Sequence, residues 1–180
     1  MTRDELEHAI RAACDVAGDD MVYVVGSQAI LGQYPDAPPA LRMSMEADVV
    51  PVNRPDRVDA IDGALGELSQ FAVAFGFYVH GLTLDGLILP DGWNDRVIEV
   101  RHPVGTHDKT GLCLEGHDLA ASKLAAFRDK DRDFVRVLLL ERLVAPGLLL
   151  ERIGVLAIPE EERSRRAQWV RLTSDLGPDG

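Results

Sequence analysis

Cysteine, long apolar runs and positive charge are all scarce in this chain. Its 180 residues include two cysteines, Cys14 and Cys113, too few for a disulfide scaffold or a cysteine-rich zinc site. No apolar run approaches the roughly 20 residues that a membrane span requires. The chain opens with an acidic, amphipathic stretch, MTRDELEHAI, which differs from a secretory signal. We therefore expect a cytoplasmic protein that does not bind membranes.

Acidic residues outnumber basic ones. The 30 Asp and Glu residues against 19 Lys and Arg give a formal net charge of −11 and a pI of about 4.8. Nonspecific binding to nucleic acid depends on clustered Lys and Arg, so this excess argues against a protein that coats DNA. Local basic patches remain, and the best candidates are the segments KLAAFRDKDR and ERSRRAQW.

Hydrophobic periodicity predicts an α/β fold (α+β), in which a small mixed sheet is flanked by helices and the C-terminal third is helical. Residues 1–115 would form the α/β core, and residues 116–180 a helical region packed on the same core. The patterns predict helices over 2–17, 28–34, 54–68, 118–141, 146–155 and 159–174, and strands over 21–25, 44–51, 75–84, 84–89, 97–102 and 111–115.

Two acids occur one residue apart on the predicted strand 44–51. Side chains two residues apart on a strand point to the same face, so Glu46 and Asp48 share a direction. A solvated polar face is the simpler interpretation. However, Ala47 and Val49 between and after them suggest a largely buried strand, and buried acids need a partner. Paired carboxylates can hold Mg²⁺ or Mn²⁺.

A glycine–serine break follows the apolar run MVYVV. Gly26 has no Cβ and lets the backbone approach a ligand closely. Ser27 then starts a helical segment, whose first N–H groups favour a phosphate. An ordinary turn is the simpler interpretation of this pair alone. Together with the carboxylates of the next strand, the pair supplies the phosphate seat and metal ligands that nucleotidyl transfer requires.

Two segments in this order, VGSQAILGQYP and RMSMEADVVP, resemble the nucleotidyltransferase superfamily of polymerase-β-like fold. Its pattern is h-G-[GS], then [DE]-x-[DE], then a third acid on a later strand. Within that superfamily the chain is similar to the small bacterial minimal nucleotidyltransferases related to AbiEii-type toxins. The segments LPDGWNDRV and LEGHDLAASKLAAFRDKDRDFVRVLL also resemble parts of this group, and the likeness covers residues 20–155.

The resemblance implies an enzyme that moves a nucleoside monophosphate from an NTP to an acceptor hydroxyl and requires Mg²⁺ or Mn²⁺. Gly26 and Ser27 match the phosphate-contacting turn. Glu46 and Asp48 match the metal-binding acids, with Glu where many members have Asp. Glu99 is the candidate for the third metal-binding acid, and its rival is Asp85.

The same resemblance implies a biological setting. It suggests RNA, such as a tRNA 3′ end, as the acceptor, a small antitoxin protein as a partner, and a role in a toxin–antitoxin or phage-defence system. A protein or a small molecule as acceptor remains an alternative. A second alternative is a catalytically inactive nucleotide- or partner-binding module of the same fold.

Charged residues interrupt the apolar stripe of the predicted helix 118–141. Positions four apart share a helix face, so Lys123 and Asp131 align with Leu119 and Val135. A buried ion pair or a snorkelling lysine explains this without function. The resemblance instead implies that Lys123 contacts the triphosphate and that Asp131 is an accessory acid.

Three further residues are candidates on weaker grounds. Arg128 and Lys130, in the same predicted helix, are candidates for contact with the nucleotide or with RNA. His80 ends a predicted strand in the segment YVHG, and we interpret it as a structural or cleft-lining residue.

Overall fold

The computed structural model describes residues 1–175, which form two compact units. The first unit contains residues 1–86 and 96–115, and the second contains residues 87–95 and the chain from residue 116 onward. The predicted division at 115/116 stays a prediction; in the structure the segment 87–95 groups with the second unit. The last five residues of the predicted helical region, 176–180, lie outside the described residues.

A five-stranded mixed sheet forms the centre of the first unit, as predicted. Its strands are β1 (Met21–Val24), β2 (Glu46–Pro51), β3 (Tyr78–Gly81), β4 (Ile98–Val100) and β5 (Thr110–Cys113). They lie in the order β3-β2-β1-β5-β4. β1 pairs with β5 and β2 pairs with β3 in parallel, whereas the β1–β2 and β4–β5 pairs are antiparallel.

Four α-helices belong to this unit: α1 (Arg3–Ala17), α2 (Ile30–Gln33), α3 (Val58–Leu65) and α4 (Gln70–Phe75). A capping box starts α1, because Thr2 accepts a hydrogen bond from the Glu5 N–H and the Glu5 carboxylate accepts one from the Thr2 N–H. Sequence analysis missed α4, although Ser69 caps its start and Gly76, with φ of 74°, ends it.

The two faces of the sheet differ in character. One face is fully buried and is made of small and branched apolar side chains: Val22, Val24, Ala47, Val49 and Cys113. Helix α1 approaches it so closely that a Cβ on Gly111 would lie 2.4 Å from Cδ1 of Ile10. The opposite face carries polar side chains on β2 and β3 that are partly exposed. The fold therefore leaves one face of this strand pair available for a site.

The second unit is helical, which confirms the predicted helical C-terminal third. It contains α5 (Gly116–Ala126), α6 (Asp129–Leu140), α7 (Pro146–Gly154) and α8 (Glu160–Asp175). None of the helices in the described part of the chain is long and apolar enough to cross a membrane.

The single helix predicted over 118–141 is wrong, because the chain breaks between α5 and α6. Phe127 ends α5 with a left-handed φ of 54°. Its ring centre lies 4.9 Å from the guanidinium carbon of Arg132 and 4.3 Å from that of Arg166, which are cation–π contacts. The acidic first turn of α6, with Asp129 and Asp131, favours a new helix start. No glycine or proline marks this break.

The strand predicted over 84–89 is also wrong. Leu84–Gly86 form a single 3₁₀ turn after β3, and residues 87–89 are irregular. The run of apolar residues there resembles a strand locally, but it pairs with no strand among the described residues.

Candidate active site

β2 holds both predicted acids on one face. The side chains of Glu46 and Asp48 are 34% and 23% exposed, whereas Ala47 and Val49 are fully buried on the other face. This alternation follows from the period of two in an extended strand. The two carboxylates therefore lie side by side on the polar face of the sheet.

Gly26 lies directly against the Asp48 carboxylate. A Cβ on Gly26 would fall 1.7 Å from Oδ2 and 2.6 Å from Cγ of Asp48. The backbone of Gly26 has a φ of −85°, which any residue adopts, so space alone requires glycine here. The N–H of Val25 donates to the backbone oxygen of Asp48 at 3.0 Å and fixes the approach. The sequence predicted room for a ligand, and the structure shows room for a carboxylate.

The helical segment after Gly26 has the predicted length, but it is divided into two short pieces. Ser27–Ala29 form one 3₁₀ turn, and α2 has four residues. Ser27 itself is partly exposed. So short a helix has little macrodipole, and any phosphate contact here would depend on individual N–H and hydroxyl groups. The phosphate-seating role of Gly26 and Ser27 stays a prediction.

β3 brings a third donor, His80, to the two acids. Parallel pairing of β2 and β3 places Asp48 and His80 in register. Nδ1 of His80 lies 3.2 Å from Oε1 of Glu46 and 3.4 Å from Oδ1 of Asp48. One ligand atom from each of the three residues lies within 4.8 Å of the others. Sequence analysis gave His80 only a structural or cleft-lining role, because no local pattern shows which strands pair.

The end of β3 is fixed by α3. The N–H of Gly81 donates to Oδ1 of Asp62 at 2.8 Å. A Cβ on Gly81 would lie 2.8 Å from the backbone oxygen of Val58, so the strand packs tightly against this helix. These contacts hold the backbone of His80, one residue earlier, in place.

An open groove of about 620 Å³ adjoins the site. It is lined by Glu46, Asp62, Gly63, Gly66, Glu67, Leu68, Ser69, Tyr78 and His80. Three of these are acids, and none of the lining residues in the described chain is lysine or arginine. Burial and the negative charges of Glu46, Glu67 and Asp48 raise the pKa of Tyr78. The groove is therefore electronegative.

The structure does not bring the candidate third acids to this group. Glu99 is exposed on β4, and β1 and β5 lie between β4 and β2. Three strand spacings correspond to about 14 Å, well beyond the reach of one metal ion. Asp85 is exposed in the 3₁₀ turn after β3 and is outside the Glu46–Asp48–His80 group.

The predicted charged residues of the second unit form an ion-pair cluster. Arg128 donates from Nε to Oδ2 of Asp131 at 2.6 Å and from Nη2 to Oδ1 at 3.3 Å. Nζ of Lys123 lies 3.5 Å from Oδ1 of Asp131, whose side chain is 1% exposed. Burial alone would raise the pKa of Asp131, but the Arg128 hydrogen bonds and the Lys123 charge hold it below its usual value. Lys130 is exposed.

A family model described as "nucleotidyltransferase of unknown function (DUF6036)" matches residues 5–172. The chain belongs to this family. The predicted nucleotidyltransferase superfamily is thereby confirmed, whereas the narrower likeness to AbiEii-type toxins stays a prediction. Searches among curated proteins and among solved structures gave no significant match.

The three donors of this site fit a divalent cation. Metal–ligand bonds of about 2.1 Å in an octahedral site separate neighbouring ligand atoms by about 3 Å. The separations of 3.2 and 3.4 Å from Nδ1 of His80 to the two carboxylates match such neighbouring positions. Gly26 keeps the space at Asp48 that this arrangement needs.

Proposed function

We propose that the protein is a metal-dependent nucleotidyltransferase that transfers a nucleoside monophosphate from an NTP to an acceptor hydroxyl. The observation that carries this proposal is the convergence of Glu46 and Asp48 with the Gly26 turn, in a chain of a nucleotidyltransferase family. The acceptor oxygen bonds to the α-phosphorus as the bond to the bridging oxygen breaks and pyrophosphate leaves. The hydroxyl proton is released to water.

In the first unit, Glu46 and Asp48 would hold Mg²⁺ or Mn²⁺. A bound ion would neutralise phosphate charge and stabilise the leaving pyrophosphate. The N–H and hydroxyl of Ser27, one residue after Gly26, would contact a phosphate. Both carboxylates are partly exposed on the same face as the groove, so substrate has access to them.

In the second unit, we propose Lys123 for contact with the triphosphate and Asp131 as the accessory acid that orients it. Nζ of Lys123 lies 3.5 Å from Oδ1 of Asp131, and Arg128 binds the same carboxylate through two hydrogen bonds, so the two cations and the acid form one cluster. Arg128 and the exposed Lys130 are proposed contacts for the nucleotide or for RNA.

The proposed acceptor is RNA, such as a tRNA 3′ end, in an AbiEii-like toxin that acts with a small antitoxin protein. This proposal rests on the resemblance of the sequence segments alone. The groove favours a second candidate, a small neutral or cationic hydroxyl compound. Its acids Glu46, Asp62 and Glu67 would repel an RNA backbone, and its volume is in the range of small-molecule sites.

Label transfer tests the proposal. The protein is incubated with each α-labelled NTP and Mg²⁺ or Mn²⁺, in separate reactions with total RNA, total protein and a small-molecule extract. We expect label in one acceptor pool, its loss in Glu46→Gln, and its retention in Glu99→Gln, a matched removal of one carboxylate from the opposite edge of the sheet.

The outcome in each pool has a distinct meaning. Label in the small-molecule pool alone would replace RNA by the second candidate. An NTP that binds without any transfer, under all metal and acceptor conditions, would contradict the enzyme and favour the inactive binding module.

A further inference from the structure

The third donor of the site is a nitrogen atom where a carboxylate was expected. Glu46 and Asp48 supply oxygen, and His80 supplies Nδ1 on the adjacent strand. We propose that His80 ligates the ion through Nδ1 and gives the site a preference for Mn²⁺ over Mg²⁺. This inference rests on the proposed function, because it assigns the metal of the same site.

The geometry favours ligation by His80. Its Nδ1 is the atom nearest to both carboxylates, at 3.2 Å from Glu46 and 3.4 Å from Asp48, as neighbouring ligands of one ion require. Its backbone is held by the β2 register on one side and by the Asp62 bond to the next N–H on the other. The backbone of this ligand is therefore already in place before an ion binds.

Neither candidate third acid is close enough to act as the third ligand, whereas His80 is. Neither Glu99, on the opposite edge of the sheet, nor Asp85, in the exposed turn, lies near the two carboxylates in the described chain. A third ligand from these strands is therefore an imidazole rather than a third carboxylate.

The chemistry of the donor set then determines the choice of ion. Mg²⁺ prefers oxygen ligands at short, nearly ideal octahedral distances. Imidazole nitrogen suits first-row transition ions, and carboxylates suit both Mg²⁺ and Mn²⁺. Of these two ions, Mn²⁺ accepts an imidazole nitrogen more readily and does not require the strict geometry of Mg²⁺. Two carboxylates with one imidazole leave further positions for water and phosphate oxygens.

A hydrogen bond is the competing role for His80. The same distances would allow the imidazole to donate from Nδ1 to a carboxylate and simply orient it. Pulsed electron paramagnetic resonance of the full chain loaded with Mn²⁺ separates the two roles, because a directly bound imidazole nitrogen couples to the electron spin.

We expect nitrogen coupling in the wild type and a changed coupling after ¹⁵N labelling of histidine. His80→Gln should lose it, whereas His107→Asn, at an exposed loop histidine with a φ of 50°, should retain it. In calorimetric titrations, His80→Asp should lower the ratio of Mn²⁺ to Mg²⁺ affinity by about tenfold or more, because it restores an all-oxygen set.

The possible failures are distinguishable. Mn²⁺ that binds in a Glu46-dependent manner, but without nitrogen coupling or with an unchanged affinity ratio in His80→Asp, overturns the role of His80 and leaves the proposed function intact. If wild type binds neither ion, with or without NTP, the proposed function fails as well. If His80→Gln does not fold, the absence of nitrogen coupling in the labelled wild type still overturns the ligation by His80.

Discussion

Two aspartates lie at opposite ends of the antiparallel β1–β2 pair and have contrasting surroundings. Asp19 precedes β1 and is 5% exposed. Its carboxylate accepts five hydrogen bonds, from the N–H groups of Asp20, Met21, Asn53 and Arg54 and from Nδ2 of Asn53. Asp48 is partly exposed and contacts Gly26, and His80 is its one ion-pairing partner among the described residues.

The difference shows how the same side chain serves structure or chemistry. A carboxylate has about four lone-pair positions, and the N–H groups around Asp19 fill them. Although burial alone would raise the pKa of Asp19, the hydrogen bonds from Asn53, Met21 and Asp20 hold it below its usual value. Asp48 lies beside a second carboxylate and an imidazole, and no backbone N–H group of residues 1–175 donates to its carboxylate. We infer that Asp19 holds the ends of β1 and β2 together and that Asp48 is placed to bind a metal ion.

The largest effect should come from Asp48→Asn. Removal of the charge takes away a proposed metal ligand, so nucleotidyl transfer should fall by about a thousandfold or more. The fold should remain, with a free energy of unfolding within about 0.5 kcal/mol of wild type, because this side chain is not part of the buried hydrogen-bond network. Transfer assays and urea unfolding check the two halves. An Asp48→Asn variant that is strongly destabilised but active would mean that Asp48 serves structure rather than chemistry, which would contradict the comparison.

Asp19→Ala should show the opposite behaviour. It leaves several buried N–H groups without an acceptor, and we expect a loss of about 3 kcal/mol in the free energy of unfolding. For a chain of this size the Tm should drop by roughly 6–12 °C. Calorimetric Mn²⁺ titration well below the Tm should give a wild-type affinity, since Asp19 is at the far end of the strand pair. Altered metal affinity in the folded variant would contradict its purely structural role.

Gly26→Ala tests the close contact between Gly26 and the Asp48 carboxylate, which has no counterpart at Asp19. The new methyl group would clash with the Asp48 carboxylate and displace it, which should weaken metal binding by about 10- to 100-fold. Gly147→Ala is the matched control, because a Cβ there meets nothing within 4 Å. Calorimetric titration of both variants with Mn²⁺ measures the effect. Equal affinities for the two variants would show that the Gly26 contact is not needed.

The smallest effect should appear in the pH dependence of stability. The folded pKa of Asp19 is lowered, so its contribution is fully present above the unfolded pKa of about 3.9 and is lost as the pH falls through the folded pKa. The difference in unfolding free energy between wild type and Asp19→Asn should therefore be constant above about pH 5 and shrink below pH 4. The pKa of Asp131 is also lowered in the folded state. Its contribution cancels in this difference, because both the wild type and Asp19→Asn contain Asp131.

Chemical denaturation at a series of pH values measures this difference. A gap that widens on acidification would mean that the Asp19 carboxylate is not stabilised by its N–H donors.

The predictable part of the site is the part that local sequence determines. The period of two put Glu46 and Asp48 on one face, and the small residue at Gly26 indicated a close approach. Both inferences need only a strand and its nearest turn. The prediction of an α/β sheet followed by helices succeeded for the same reason, since each element has its own apolar pattern.

The remaining features depend on pairings between distant segments. His80 lies at the site because β3 pairs in parallel with β2, although α3 and α4 separate the two strands in the sequence. Glu99 lies far from the site because β4 is at the other edge of the sheet. At the break after α5, the Phe127 ring also contacts Arg166, which lies 39 residues later in α8. No local propensity encodes these strand pairings, so the sequence could not show that His80, rather than the third acid implied by the family resemblance, lies beside the two carboxylates.

Thermal unfolding of the full chain with Mn²⁺ alone, ATP, CTP, GTP or UTP alone, and Mn²⁺ with each nucleotide tests the central claim most directly. Binding of the ion and the triphosphate at adjacent positions predicts that one combination raises the Tm by more than the sum of the separate shifts, and that Asp48→Asn lacks this excess. Merely additive shifts for all four nucleotides, or an excess that Asp48→Asn retains, would contradict a shared metal–nucleotide site at Glu46 and Asp48.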